Sequence, residues 1–239
     1  MKTGVIVFPG SNCDHDAFYA TGAWIQQQSE FIWHKDRKNL KDFDLIVIPG
    51  GFSYGDYLRT GAIARFANVM QDVIEFAGFG GTVIGICNGF QILTECGLLP
   101  GALLRNHKLK FVCDNIFLRV ENTSTPFTSD YTEQQVITVP IAHGDGNYFA
   151  DDDTIRKLED DGRVIFRYCS ENGAIDEASN PNGSRNNIAG IINEQGNVLG
   201  LMPHPERCSD KVLGNDDGLK VFTSILHSVE RVTTLAGTI

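Results

Sequence analysis

The 239-residue sequence has no long hydrophobic run, and no apolar stretch approaches the ~20 residues that a membrane-spanning helix needs. The N-terminal segment MKTGVIVFPGSN lacks an apolar run long enough for a signal peptide and is typical of a first β-strand. We therefore expect a cytoplasmic protein that does not interact with membranes.

Basic residues are a minority, with 20 lysines and arginines against 30 aspartates and glutamates. The formal net charge is −10 and the pI is near 5.0. Because binding to nucleic acid requires a basic face that neutralises phosphates, this balance argues against nucleic acid as the main ligand.

The six cysteines include no C-x-x-C pair and are too few for a disulfide framework, so we predict reduced thiols and no metal site. Two phosphate-binding motifs are also absent, G-x-x-x-x-G-K-[ST] and G-x-G-x-x-G. We therefore expect no ATP site on this chain.

The first half of the chain alternates strand and helix patterns. Apolar runs predict strands at 3–8, 31–34, 44–51 and 82–86. Helical patterns cover 14–28, with Asp14 or Asp16 as a cap, 62–76, and a segment from Cys87 to Gly97. This alternation predicts an α/β fold with a parallel sheet covered on both faces, whose ligands bind at the carboxyl ends of the strands.

The second half has a mixed pattern. Short strands are expected between 110 and 168, with an acidic helix or solvated loop at 151–162. Residues 186–207 predict a hairpin around NEQGN, and 218–232 a closing helix. Since no repeat or linker divides the chain, we expect a single domain over 1–239.

Cys87 lies in GGTVIGICNGFQILTECG, where a predicted strand turns sharply into a helix. At such a nucleophile elbow the neighbouring side chains would collide, and Gly85 and Gly89 provide the clearance. The helix N-terminus stabilises a thiolate. This context favours a nucleophilic Cys87 over a buried structural cysteine.

His204 and Glu206, in GLMPHPERC, are the best partners for a nucleophilic thiol. A residue before proline favours an extended conformation, in which positions i and i+2 project to the same side. Glu206 is therefore expected to lie beside the imidazole and orient it, which completes a Cys-His-Glu triad.

Acyl transfer also needs hydrogen-bond donors for the oxyanion. The backbone N–H of Asn88, directly after the nucleophile, is one candidate. The Gly50–Gly51 turn after the third strand is the other, because glycine lets a bare N–H approach the substrate.

The G-x-C-x-G and H-P-E elements together resemble the class I (triad) glutamine amidotransferases, over almost the whole chain. Their fold is a Rossmann-like or flavodoxin-like open sheet, mostly parallel, with helices on both faces and a small antiparallel addition. Within that family the sequence is similar to the glutaminase subunits of phosphoribosylformylglycinamidine synthase. The similar segments are VIVFPGSNCDHD, PGGFSYGDYLRTGAIA, GICNGFQIL, IAHGDGNY and GNVLGLMPHPER.

The resemblance implies that glutamine is hydrolysed to glutamate and ammonia through a thioester on Cys87. It gives Gly51 and Asn88 as oxyanion donors, and Gln91 and His143 as residues that contact glutamine. It implies that ammonia passes through a channel to a large synthetase subunit, often with a small bridging subunit. There, ATP and Mg would convert formylglycinamide ribonucleotide into formylglycinamidine ribonucleotide in purine biosynthesis. The chain is too short to contain that synthetase, so we expect separate subunits and no cofactor on this one.

Two alternatives remain open from the sequence. A stand-alone elbow-cysteine hydrolase, such as a γ-glutamyl hydrolase, shares the thiol chemistry but lacks a GGFSYGDYLR loop and needs no partner. A non-catalytic nucleotide-binding module could cradle phosphate in the glycine loops and would tolerate Cys87→Ala. Cys13 lies in a strand-end loop and receives no catalytic role.

Overall fold

A nine-stranded sheet and a separate two-stranded sheet form the framework of the computed structural model, which describes residues 1–236. The strands are β1 Lys2–Val7, β2 Gln28–Trp33, β3 Leu45–Ile48, β4 Thr82–Ile86, β5 Ala102–Leu104, β6 Val112–Val120, β7 Val136–His143, β8 Asn147–Phe149, β9 Val164–Cys169, β10 Ile188–Ile192 and β11 Val198–Leu201. The α-helices are α1 Asp14–Thr21, α2 Asn68–Gly78, α3 Asn88–Glu95, α4 Asp152–Asp160 and α5 Leu219–Ala236. The single domain expected over 1–239 stays a prediction, and its last three positions lie outside the described residues.

The large sheet has the strand order β2-β1-β3-β4-β11-β10-β9-β6-β7. The pairings from β2 to β11 are parallel, and those from β11 to β7 are antiparallel. Only β6 and β10 of this sheet therefore run against the common direction. This confirms the predicted mostly parallel α/β fold, and the antiparallel pair β5 and β8 forms a small addition to it.

Helices cover both faces of the parallel half. Helix α1 stacks Phe18 on Phe31 of β2, with ring centroids 4.6 Å apart. The strand register aligns Phe31 of β2 with Ile84 of β4, so these two residues lie on the same face of the sheet. The adjacent Gly85 therefore lies on the opposite face. There α3 packs so closely that a β-carbon on Gly85 would lie 2.5 Å from Leu93 Cδ1.

Two predicted helices are wrong in extent. The helix expected over 14–28 ends at Thr21, and its N-cap is Cys13 rather than an aspartate. Strand β2 begins at Gln28, earlier than the predicted 31–34. The helix expected over 62–76 is interrupted because Ala67 is extended, and α2 starts only at Asn68. Gly22 directly follows Thr21 and marks the first break in the sequence, whereas no glycine or proline marks the break at Ala67.

In the second half the hairpin of β10 and β11 and the closing helix α5 are confirmed, and the acidic segment is helix α4. The expectation of short strands between 110 and 168 is wrong for β6 and β7, which have 9 and 8 residues and extend the main sheet. The alternating burial of β7, with one covered face, and the exposed first half of β6 explain the weak apolar signal. Across residues 1–236, no helix combines the length and apolar character needed to cross a membrane.

The strands β1, β3, β4 and β11 are mutually parallel, so their carboxyl ends meet at one edge of the sheet. The loops that leave this edge carry Cys13, Gly50, Cys87 and His204. The topology therefore brings four segments that are distant in sequence to one place.

Candidate active site

Cys87 has the backbone geometry of a nucleophile elbow. Its φ is +52° and its ψ is −106°, and α3 begins at the next residue. Such a positive φ is strained for a cysteine and persists only where the surroundings enforce it. The flanking glycines are required, because a β-carbon on Gly85 would lie 2.6 Å from Gly89 O and one on Gly89 1.9 Å from Ile48 O.

His204 and Glu206 form a buried hydrogen-bonded pair. The Nδ1 atom of His204 lies 2.6 Å from Glu206 Oε1, and the two residues are 2% and 0% exposed. The expectation that His204 is extended is wrong, since its ψ is 82° and Pro205–Arg207 form a 3-10 turn. Proline favours the first position of such a turn, and the turn brings the carboxylate back beside the imidazole.

The electrostatics of this pair favour a charged imidazole. Burial alone would lower the pKa of His204, but the Glu206 carboxylate and the nearby thiol groups outweigh it and hold that pKa well above its usual range. Nε2 of His204 is buried and has no hydrogen-bond partner among the described residues. The ring therefore presents an unused nitrogen on the side away from Glu206.

The imidazole and the elbow thiol lie around a common point beside Gly50. A β-carbon on Gly50 would be 2.8 Å from His204 Cε1 and 3.4 Å from Cys87 Cβ. The bare Gly50 thus leaves a space that both the histidine and the cysteine border, and Cys87 is close enough to affect the pKa of His204. The structure brings together the three residues that the sequence predicted as a triad.

Cys13 is a neighbour of this site that the sequence did not reveal. Its Sγ lies 3.0 Å from the same point beside Gly50, and the residue is 2% exposed. Arg207 Nη2 donates to this sulfur at 3.1 Å. Burial raises the pKa of Cys13, although His204 and Arg207 act in the opposite direction. The sequence feature that indicates this location is its place in the segment FPGSNCD, directly after the first strand.

Cys13, His204 and Glu206 each bring one possible ligand atom to within 4.8 Å of the others. Two of these three residues already bond to each other through Nδ1 and Oε1. The prediction that the chain has no metal site stays a prediction.

Two backbone donors are free near the elbow. Among the described residues, neither the Gly51 N–H nor the Asn88 N–H donates a hydrogen bond. Gly51 has a φ of +144°, and a β-carbon there would lie 2.7 Å from Gly10 O, so only glycine fits. The turn after β3 therefore leaves the Gly51 N–H without an acceptor among the described residues, and its role as an oxyanion donor stays a prediction.

The Asn88 side chain connects the elbow to the segment after β3 and to Gln91 of its own helix. Its Oδ1 accepts from the Ser53 N–H at 3.1 Å. Its Nδ2 donates to Asp56 Oδ1 at 3.2 Å and to Gln91 Oε1 at 2.8 Å. Gln91 Nε2 in turn donates to Asp145 O at 2.7 Å. Gln91 is thus held by protein partners, and its contact with glutamine stays a prediction.

His143 is buried beneath the loop that follows β7. Its Nδ1 lies 3.1 Å from Asn106 Oδ1 and its Nε2 3.5 Å from Asn182 Nδ2. Burial, and then the charge of His204, lower the pKa of His143 to about 4, so the ring is neutral near pH 7. Both ring nitrogens already face asparagines, and the suggested contact with glutamine stays a prediction.

Comparisons with known proteins agree with this geometry. Residues 1–218 match the family of CobB/CobQ-like glutamine amidotransferase domains. The chain is 56% identical over 231 residues to phosphoribosylformylglycinamidine synthase subunit PurQ of Salinibacter ruber, covering 97% of this chain and 98% of that one. It is 57% identical over 231 residues to the same subunit of Moorella thermoacetica, with the same coverage.

A solved structure, PurLQS from Thermotoga maritima, superposes with a TM-score of 0.84 at 44% identity, covering 95% of this chain and 98% of that one. These similarities favour a synthase subunit over a stand-alone hydrolase and over a non-catalytic nucleotide-binding module. The chain belongs to the glutamine amidotransferase family, and within it to the glutaminase subunits of phosphoribosylformylglycinamidine synthase.

Proposed function

We propose that Cys87 is the nucleophile that releases ammonia from glutamine in this subunit, with His204 and Glu206 as its acid–base couple. The observation that carries the proposal is the strained elbow at Cys87 facing the His204–Glu206 pair across Gly50. A reactive thiol at a helix N-terminus beside an oriented imidazole has the arrangement required for covalent acyl transfer.

The thiolate attacks the side-chain amide carbon and forms a C–S bond while the carbonyl oxygen becomes an oxyanion. The charged imidazole gives a proton to the amide nitrogen, the C–N bond breaks, and ammonia leaves. Water then attacks the γ-glutamyl thioester, the now neutral His204 takes its proton, and the C–S bond breaks to return the thiolate and glutamate. The Glu206 carboxylate holds the ring in place in both steps and stabilises the ring whenever it is charged.

The free N–H groups of Gly51 and Asn88 are the proposed oxyanion donors. Removing one such donor typically costs about 10²–10³ in rate. Because Gly51 bridges to Ser11 in the loop after β1, the donor turn depends on loops from two strands.

We further propose that the ammonia is used by a large synthetase subunit, joined by a small bridging subunit, where ATP and Mg act on formylglycinamide ribonucleotide. The relatives named as subunits of that synthase support this. A channel between the subunits keeps ammonia from protonation in water. We assign the complex to the cytoplasm, consistent with six free thiols in this chain.

The test is Cys87→Ala in the complex reconstituted with the synthetase. We expect synthesis from glutamine to disappear and synthesis from added ammonium salts to remain, because only the thioester step is lost. The exposed Cys113, changed to alanine, is the matched control and keeps both activities. Glutamine-dependent synthesis by the Cys87→Ala complex would show that another residue is the nucleophile.

A further inference from the structure

We propose that the Asp56 carboxylate binds the α-ammonium group of the substrate, and so selects glutamine over primary amides that lack this charge. The inference rests on the proposed glutaminase function of the same site. It assigns a substrate-specificity role to the GGFSYGDYLR segment that follows β3.

Asp56 is linked directly to the elbow. Its Oδ1 accepts from the side-chain amide of Asn88, the residue that follows Cys87 and begins α3. The same Asn88 nitrogen bonds Gln91, which lies one turn along the helix. Asp56 is therefore linked to the nucleophile through one intervening residue, and we infer that it faces the far end of a bound glutamine molecule.

Nothing in the described structure neutralises this carboxylate. No lysine, arginine or histidine forms an ion pair with Asp56 among residues 1–236. The nearest basic residue in sequence, Arg59, is bonded to Glu95 through Nε and Nη2 at 2.6 and 2.7 Å. The charged group that faces Asp56 is a second carboxylate, Asp145, whose contact with Arg105 is long, at 3.8 Å.

This environment disfavours an isolated anion. Partial burial, followed by the charge of Asp145, raises the pKa of Asp56 to about 6, even though the Asn88 side chain and the Gly61 N–H both donate to it. A neighbouring cation would stabilise the ionised form of this carboxylate, and the α-ammonium group of glutamine is such a cation. A simple amide without that group would leave the carboxylate unpaired, and such unpaired groups produce strong discrimination.

Asp56→Asn is a suitable probe, because it removes the charge of the side chain and keeps its size and shape. Asparagine can accept the Asn88 hydrogen bond, and it tolerates the left-handed backbone that Asp56 adopts, with a φ of +53°. We compare steady-state hydrolysis of glutamine with that of glutaramic acid, which is glutamine without its amino group, in the complex reconstituted with the synthetase.

Loss of one charge-assisted contact should raise the KM for glutamine by about 10–100-fold, with a much smaller change in kcat. The KM for glutaramic acid should not rise in Asp56→Asn, because this amide brings no cation to the carboxylate. The exposed Asp161, changed to asparagine, is the matched control and should leave both KM values unaltered. An unchanged KM for glutamine in Asp56→Asn overturns the inference, and so does an equal loss for both substrates, which indicates a structural role.

The same experiment separates the two proposals. If the wild-type complex hydrolyses glutamine through Cys87 while Asp56→Asn keeps its selectivity, only the role of Asp56 is refuted. If the wild-type complex does not hydrolyse glutamine, or does so without Cys87, the proposed function is refuted and the inference with it.

Discussion

Gly50→Ala is the most direct test of how the site is packed. The new methyl group would enter the space between the imidazole and the elbow cysteine, 2.8 Å from His204 Cε1 and 3.0 Å from Cys13 Sγ. Gly50 does not have a positive φ, so alanine is compatible with its backbone. The conflict is with the side chains of His204 and Cys13, and His204 is the proposed acid–base group.

The size of the effect follows from these distances. Ordinary van der Waals contacts of a β-carbon lie at 3.4–4 Å, so the His204 ring and the Cys13 sulfur each have to move away from the methyl group by a few tenths of an ångström. Displacement of about 1 Å from the reactive geometry costs about 10²-fold in rate, so a shift of about half that size should cost about 10-fold. Overpacking by one methyl group costs about 1–3 kcal/mol of folding free energy, so a folded protein with a defective site is expected.

The assay measures glutaminase kcat/KM in the reconstituted complex, together with denaturant unfolding of the subunit. Gly78→Ala is the matched control, because a β-carbon there meets nothing within 4 Å and lies at the end of α2. It should keep full activity and gain up to about 1 kcal/mol in stability. If folded Gly50→Ala retains wild-type kcat/KM, His204 and Cys87 do not react across this space.

Two further predictions concern buried charge. Glu206→Gln should lower the pKa of His204 and reduce glutamine hydrolysis by about 10³–10⁴-fold; an unchanged midpoint in a histidine NMR titration contradicts the assigned role of the carboxylate. Asp56 has an ordinary pKa of 3.8 and a folded pKa of about 6, so the folded state binds the extra proton between these values. Its ionised form therefore costs stability above pH 6, and that cost disappears as the pH falls below the ordinary value. Discounted for solvent screening of a half-exposed group, Asp56→Asn should gain about 1 kcal/mol at pH 7 and nothing near pH 4 in urea unfolding. A less stable Asp56→Asn at pH 7 would contradict this reasoning.

Local sequence was enough to predict the elements whose signals are short-range. The apolar run 82–86 predicted β4 with its correct limits, and NEQGN predicted the hairpin of β10 and β11. The spacing of Gly85, Cys87 and Gly89 predicted the elbow, although only the clash at Gly85 is local, with Gly89 and Leu93, and the one at Gly89 is with Ile48 of β3. Helix ends were less predictable, since Ala67 interrupts a periodic pattern without a local breaker.

The sequence by itself therefore determined the strand-to-helix alternation, the tight turn at Cys87 and the pairing of His204 with Glu206, which are separated by one residue. Only the tertiary structure decided that β11 lies beside β4 and brings His204 to the elbow, that Cys13 reaches the same space, and that Asp56 meets Asn88. The physical reason is that local sterics and hydrophobic periodicity act over a few residues. Contacts between distant segments depend instead on strand order, which is fixed by how the whole sheet buries its apolar surface.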